Sequence, residues 1–166
     1  MNILFLSTEI PCPPDHGHHI RTLNVLRGLA ARHDIHFIGF AKTSAELQHV
    51  EELHRLCKSV DIFMLSASRG LRLFWGLFLN LFSRLPFIVQ RYDRPAAHKR
   101  IQQLLQTARI DLVHVDLLHV SLYRRDVNGI PTVLVEHNVE SLRIKRRLKT
   151  ERNILARLYL SLQYLK

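Results

Sequence analysis

Cysteine is scarce in this chain: only Cys12 and Cys57 stand among 166 residues. No Cys-x-x-Cys pairing occurs, which excludes a disulfide framework and a cysteine-based zinc site and makes a reduced, cytoplasmic compartment the expectation. The six glycines never assemble into Gly-x-Gly-x-x-Gly, and no Gly-Lys-Ser or Gly-Lys-Thr follows an apolar run. A dinucleotide fingerprint and a P-loop are therefore both excluded. No apolar run is long enough to span a bilayer, which takes about 20 residues. The opening "MNILFLS" lacks a positively charged leader and a small-residue cleavage site, so it reads as a strand and not as a signal peptide. Internal repeats and low-complexity linkers are missing too.

Acidic residues are also few, 14 against 24 lysines and arginines. The imbalance is lopsided. Residues 1–83 hold eight basic and seven acidic side chains, whereas residues 84–166 hold sixteen and seven, so nine of the ten excess positive charges lie in the second half. Such a field favours anionic partners such as phospholipid headgroups, nucleic acid or phosphorylated substrates. No recognised nucleic-acid motif accompanies it, so no specific nucleic-acid partner is expected. What is present is a hydrophobic fraction of 47%, typical of one folded domain with a real core.

Short apolar runs alternate with helical patterns along the whole length. "ILFLS" (3–7), "IHFIGF" (35–40), "VDIFML" (60–65), "DLVHVD" (111–116) and "PTVLVE" (131–136) read as buried strands. Between them, Ile20, Leu23, Leu26 and Ala30 form one helical stripe. "TSAE" (43–46) has the form of a capping box opening a helix to about Lys58. Pro95 suits the first turn of a helix reaching about Ala108. From Ser141 a helical stripe runs on to Lys166. This alternation predicts an α/β fold: a Rossmann-like, doubly wound parallel sheet with helices on both faces.

Ligands of such sheets sit beyond the carboxyl ends of the strands, which selects residues 8–19, 116–119 and 136–141. In "PCPPDHGHHIR", Gly17 precedes a helix N-terminus whose free N–H groups attract anions, and a glycine there lets a ligand approach the backbone closely. A plain strand–helix connection is the bland alternative. Arg21 offers an anion contact or a solvated surface charge. His16, His18 and His19 crowd one loop without a settled ligand geometry, so no metal is expected. Asp116 falls at the carboxyl edge of its strand and His119 follows in the loop. His137 and Asn138, in "EHNVES", have the chemistry to reach a polyhydroxyl ligand. The stretch "LRLFWGLFLNLFSRLPF" (71–87) suits either a helix lying in a membrane interface or a helix covering the sheet. The basic run Arg143–Arg152 adds attraction to anionic lipid or forms a solvated face.

The opening strand with "PPDHGHHIRTLNVLRGLAARHDIHFIGF", then "RLPFIVQRY", "IDLVHVDLLHVSLY" and "GIPTVLVEHNVESLRIKR", together resemble the N-terminal domain of family 4 glycosyltransferases. These are retaining enzymes built from two Rossmann-like domains in the GT-B fold, and the likeness is nearest to a branch linked to bacterial exopolysaccharide assembly. The resemblance spans nearly all of residues 1–166. It implies an acceptor-side domain acting on a lipid-linked or polysaccharide acceptor, with a nucleotide sugar as donor substrate and no metal or other cofactor required. The enzyme it implies is cytoplasmic, with the inner membrane face as a peripheral docking surface through residues 69–91 and 143–152.

Placed on this sequence, the resemblance implies catalytic roles for His137 and Asp116. It implies substrate contacts for Asp15, His16, Gly17, His18, Arg21, His119 and Asn138. Gly17 stands alone where many members have two adjacent glycines, and Asp116 stands where a His-x-His pattern beginning at His114 has its second histidine. The paired glutamates that such enzymes carry in the nucleotide-sugar domain are missing, so that domain is expected outside these residues. Asp-x-Asp is missing as well, which gives no support to the metal-dependent alternative fold. The competing reading is a standalone membrane-surface or nucleotide-binding module without catalysis.

Overall fold

The structure is a computed structural model that describes residues 1–65, 70–136 and 139–166. Five strands, β1 (Asn2–Ser7), β2 (Asp34–Ala41), β3 (Ser59–Met64), β4 (Leu112–Asp116) and β5 (Thr132–Val135), form one sheet in the order β3-β2-β1-β4-β5. Every pairing is parallel. The chain winds outward from β1 in one direction through β3, then returns to the other side of β1 with β4. That reversal of strand order makes a doubly wound Rossmann-like sheet with its switch point between β1 and β4.

Strand periodicity divides the core in two. Ile3 and Phe5 pack with Leu23 and Leu26 of α1 (Gly17–Ala30) and Leu53 of α2 (Glu51–Leu56) on one face. Leu4 and Leu6 pack with Ile101 and Leu104 of α5 (Pro95–Thr107) and with Val120 and Tyr123 on the other. Helices on both faces explain why β1 and β2 are apolar without alternation. Ion pairs fasten the edges, with Arg100 Nε donating to Asp61 Oδ2 at 2.8 Å between α5 and β3. Both cysteines are buried and free. Burial pushes the Cys12 thiol up to about 11, with Glu52 adding to the rise, and pushes Cys57 up to about 12, so both stay protonated and unreactive.

The inner strand β2 carries a packing constraint. A Cβ at Gly39 would lie 2.6 Å from Phe37 Cε1 and 3.3 Å from Ile62 Cδ1. Phe37 is fully buried, so its ring can yield only against core neighbours. Gly39→Ala is therefore expected to destabilise the chain by about 1–3 kcal/mol, the usual cost of an extra carbon in a packed core. A denaturant midpoint unchanged from the parent would contradict this.

Two helices differ from the sequence pattern. The segment after Thr43 is a 3-10 turn (Ser44–His49) followed by α2, not one helix to Lys58. Glu46 accepts from the Lys42 N–H (3.0 Å) and from Thr43 Oγ1 (3.0 Å). It thus caps one residue too early to start an α-helix. The C-terminal stripe is split into α6 (Glu140–Thr150) and α7 (Ile154–Leu165), with Asn153 recapping the second helix by accepting from the Ala156 N–H at 3.1 Å.

The apolar stretch 71–87 also divides. It forms α3 (Gly70–Asn80), then a turn, then the short α4 (Phe87–Gln90). Helix α3 does not cover the sheet. Leu71, Phe74, Trp75, Phe78 and Leu79 are exposed, as is Phe82 beyond its end, and Asn80 alone of the helix is buried. The aromatic rings meet edge to face at 5.8–6.1 Å. Asn80 turns the other way. Its Nδ2 donates to Leu85 O (2.9 Å) and Gln90, and its Oδ1 accepts from Tyr159 Oη (3.0 Å) and Gln163 Nε2 (2.8 Å) of α7.

Candidate functional site

At the β1/β4 switch point lies a cleft of about 420 Å³, where the carboxyl ends of the strands leave room between diverging connections. The segment after β1 supplies Thr8, Glu9 and His16, and the first turn of α1 supplies His18. Lys42 comes from the end of β2, Ile88, Arg91 and Tyr92 from α4 and the turn after it, and Leu117 and His119 from beyond β4. Glu140 and Arg143 of α6 close the wall. The chain leaves β4 through Leu117, a leucine with φ 81° and ψ 146°. A side chain held there costs on the order of 1–3 kcal/mol. The Leu117 N–H bonded to Val135 O (3.0 Å) and the Leu118 N–H bonded to Glu136 hold it in place.

Among the described residues, the lysine and arginines lining the cleft are paired except at one point. Lys42 pairs with Glu9, and Arg143 donates to Glu140 at 2.8 Å. Burial on its own would raise the Glu9 carboxyl, but the hydrogen bonds and charges of Lys42 and His19 hold it below its ordinary value. Arg91 makes no ion pair among the described residues, and its buried Nε has no hydrogen-bond partner. An arginine with no carboxylate partner of its own, set in a cleft, is suited to bind an anionic oxygen.

His119 faces Tyr92 in a stack of 5.9 Å between ring centres. Its Nε2 lies 3.8 Å from Glu140 Oε1. Burial pushes its pKa below the ordinary value and Arg143 and His18 push the same way, while Glu140 opposes them. The ring is thus neutral near pH 7 and able to donate and accept. A histidine depressed in the folded state takes up its proton more readily when unfolded. The stability it provides is therefore complete above the unfolded value near 6.5 and declines as the pH falls below it. Melting temperature is expected to drop between pH 7.5 and 5.5, and to drop less in His119→Asn. Equal slopes in the two proteins would show that His119 is not the group responsible. His36, also lowered by burial and by Lys58, adds a remainder of the same sign.

The sequence-selected residues fall into four sets. His16, His18 and His119 line the cleft together. Asp116 is buried at the end of β4, where it accepts from Thr22 Oγ1 of α1 at 2.7 Å and stands 3.9 Å from His18 Nε2. It stands behind the cleft wall, next to one of the residues that line it. Asp15, Gly17 and Arg21 are exposed and are not among the residues lining the cleft. A Cβ at Gly17 would meet nothing within 4 Å, which leaves the approach to that helix end open. His137 and Asn138 lie outside the described residues.

Sequence reasoning missed Lys42, Arg91, Tyr92 and Arg143 as members of one site. The carboxyl-end rule applied to β2 would have found Lys42. Nothing local marks Arg91 or Tyr92.

Comparison with known proteins adds a likeness of fold. A solved structure that the chain resembles is that of UGT2 of Phytolacca americana complexed with UDP-2fluoro-glucose and pterostilbene. The likeness has 14% identity and a TM-score of 0.48, and it covers 92% of this chain. The chain spans 36% of the length of that protein. No family model and no curated relative matches.

Proposed function

We propose that this chain is the acceptor-side domain of a glycosyltransferase, one that moves a hexose from a nucleotide sugar to a lipid-linked or polysaccharide acceptor with retention at the anomeric carbon. The observation that carries this reading is the position and charge of the cleft: a concavity at the switch point of a doubly wound sheet, with Arg91 unpaired in it. Such a site suits a ligand with both hydroxyls and phosphate oxygens. The order of motifs resembling the exopolysaccharide branch of family 4 enzymes supports the same conclusion. A second Rossmann-like domain carrying the donor would close over the cleft and exclude water, and stabilisation of the leaving diphosphate would be electrostatic. In this reading His137 and Asp116 serve the reaction, His137 from the loop after β5 and Asp116 by setting His18. Asp15, Gly17, Arg21 and Asn138 complete the ligand contacts around the helix end.

The deciding experiment is transfer of labelled sugar from a nucleotide sugar to a polyprenyl-diphosphate acceptor by the chain joined to its donor domain. Arg91→Gln is expected to lower kcat/KM by about ten- to a hundredfold, the usual weight of a charge-assisted hydrogen bond. His137→Ala is expected to lower kcat. Unchanged turnover in both would remove the assignment. Calorimetric binding of nucleotide sugars by residues 1–166 alone would instead favour a standalone nucleotide-binding module.

A peripheral position on an anionic, cytoplasm-facing membrane belongs to the same proposal. Among the described residues no helix is long and apolar enough to cross a membrane. The exposed aromatic face of α3 and the basic run of α6 provide the two attractions an interfacial helix needs. Co-sedimentation with liposomes should rise with anionic lipid and fall with salt. Equal partitioning onto neutral vesicles would remove the electrostatic part.

A further inference from the structure

We propose that Glu9, His16 and His19 form a binding site for a divalent transition-metal ion of the zinc class, open toward the cleft. One ligand atom from each of the three residues lies within 4.8 Å of the others. His19 Nε2 is 3.1 Å from Glu9 Oε2, and His16 Nε2 is 3.9 Å from the same oxygen. Ligand atoms of a tetrahedral zinc ion, at bond lengths of about 2.0–2.1 Å, stand about 3.4 Å apart. Both imidazole nitrogens therefore stand within about half an ångström of that separation from the Glu9 oxygen, and the His16 and His19 rings, 3.7 Å apart at 35°, must turn apart to converge on one ion. Two histidines and one carboxylate leave a fourth position for water or a substrate oxygen, the pattern of an open zinc centre. Glu9 and His16 both line the cleft, so that position faces it.

The surroundings fit a ligand set. His19 Nδ1 lies 3.0 Å from Pro13 O and 2.8 Å from Asp15 Oδ1. These acceptors hold the ring proton on Nδ1 and aim the Nε2 lone pair at Glu9, the carboxylate–histidine arrangement found behind metal-bound imidazoles. Lys42 engages Oε1 of Glu9 and leaves Oε2 to the two rings. His16 carries the cost. Its Nδ1 accepts the His19 N–H at 3.4 Å as the cap of α1. Ligation through Nε2 moves the ring proton to Nδ1 and gives up that long bond. The same cluster also stands as a hydrogen-bonded array of His19 between Glu9 and Asp15, with no metal.

Zinc titration of the chelator-treated chain, followed by calorimetry, separates the two. One saturable site is expected. His16→Asn keeps a strong capping residue while removing a ligand, and it should weaken the site by about tenfold or more, as should Glu9→Gln and His19→Gln. Asp15→Asn should weaken it by about tenfold. His33→Gln, beyond the far end of α1, should leave it unchanged. Cobalt in place of zinc should give the visible absorption of a tetrahedral centre. Failure of the folded chain to take up zinc saturably, or uptake that survives both His16→Asn and His19→Gln, overturns the proposal. Because the readout is metal uptake, neither result bears on sugar transfer.

Discussion

Tyr123→Ala is expected to destabilise the chain by about 3–5 kcal/mol, the range for deleting a large buried aromatic side chain. Tyr123 is fully buried beneath the sheet in the 3-10 segment Leu118–Asp126. Its ring packs 6.2 Å from Phe40 and 4.5 Å from His98. The hydroxyl does separate work. It donates to Tyr92 O and accepts the Arg94 N–H at 3.2 Å, joining the turn after α4 to the wall below the cleft. Tyr123→Phe retains the ring and orphans both backbone groups, so about 1–3 kcal/mol of the loss should persist. Urea midpoints for the two variants check the division. A neutral Tyr123→Phe would mean that the buried carbonyl and N–H find other partners. Since Tyr92 and Arg91 line the cleft, ligand affinity should fall in Tyr123→Phe even where the fold survives.

Asn80→Ala is the second large effect, and it should be local. The side chain is fully buried and serves donors from three residues of α7 and the C-terminus: Tyr159, Gln163 and Lys166. Gln163 is itself buried, and it also accepts the Phe87 N–H at 2.7 Å. Removing Asn80 leaves Gln163 without its acceptor in a low-dielectric pocket, at about 1–3 kcal/mol. The sheet and both of its core faces are untouched. Amide exchange in α7 should therefore quicken by about ten- to a hundredfold while β1 and β4 stay protected. Uniformly faster exchange would show that α7 belongs to the global unfolding unit.

The sheet was legible because its strands are buried on both sides and read as near-continuous apolar runs. All five fall within one residue of the expected limits. Pro95 placed the start of α5 correctly. The failures share a cause: a local hydrogen bond cut a periodic pattern that was itself sound. Glu46 and Asn153 are short-range capping groups, and each broke a run of helical spacing. For α3 the pattern left two readings open, and the exposure of its aromatic side chains speaks only against its covering the sheet. The candidate site was half legible. His16, His18 and His119 follow from the rule that strand ends carry function. Arg91 and Tyr92 arrive through the packing of α4 against the segment 118–126, a tertiary placement with no local signature.

The lone tryptophan of the chain is Trp75, on the exposed aromatic face of α3, away from both halves of the core. All indole emission from this protein thus originates in one surface helix. Its spectrum will be nearly blind to melting of the sheet, yet it should shift blue when lipid, detergent or another polypeptide dries that face.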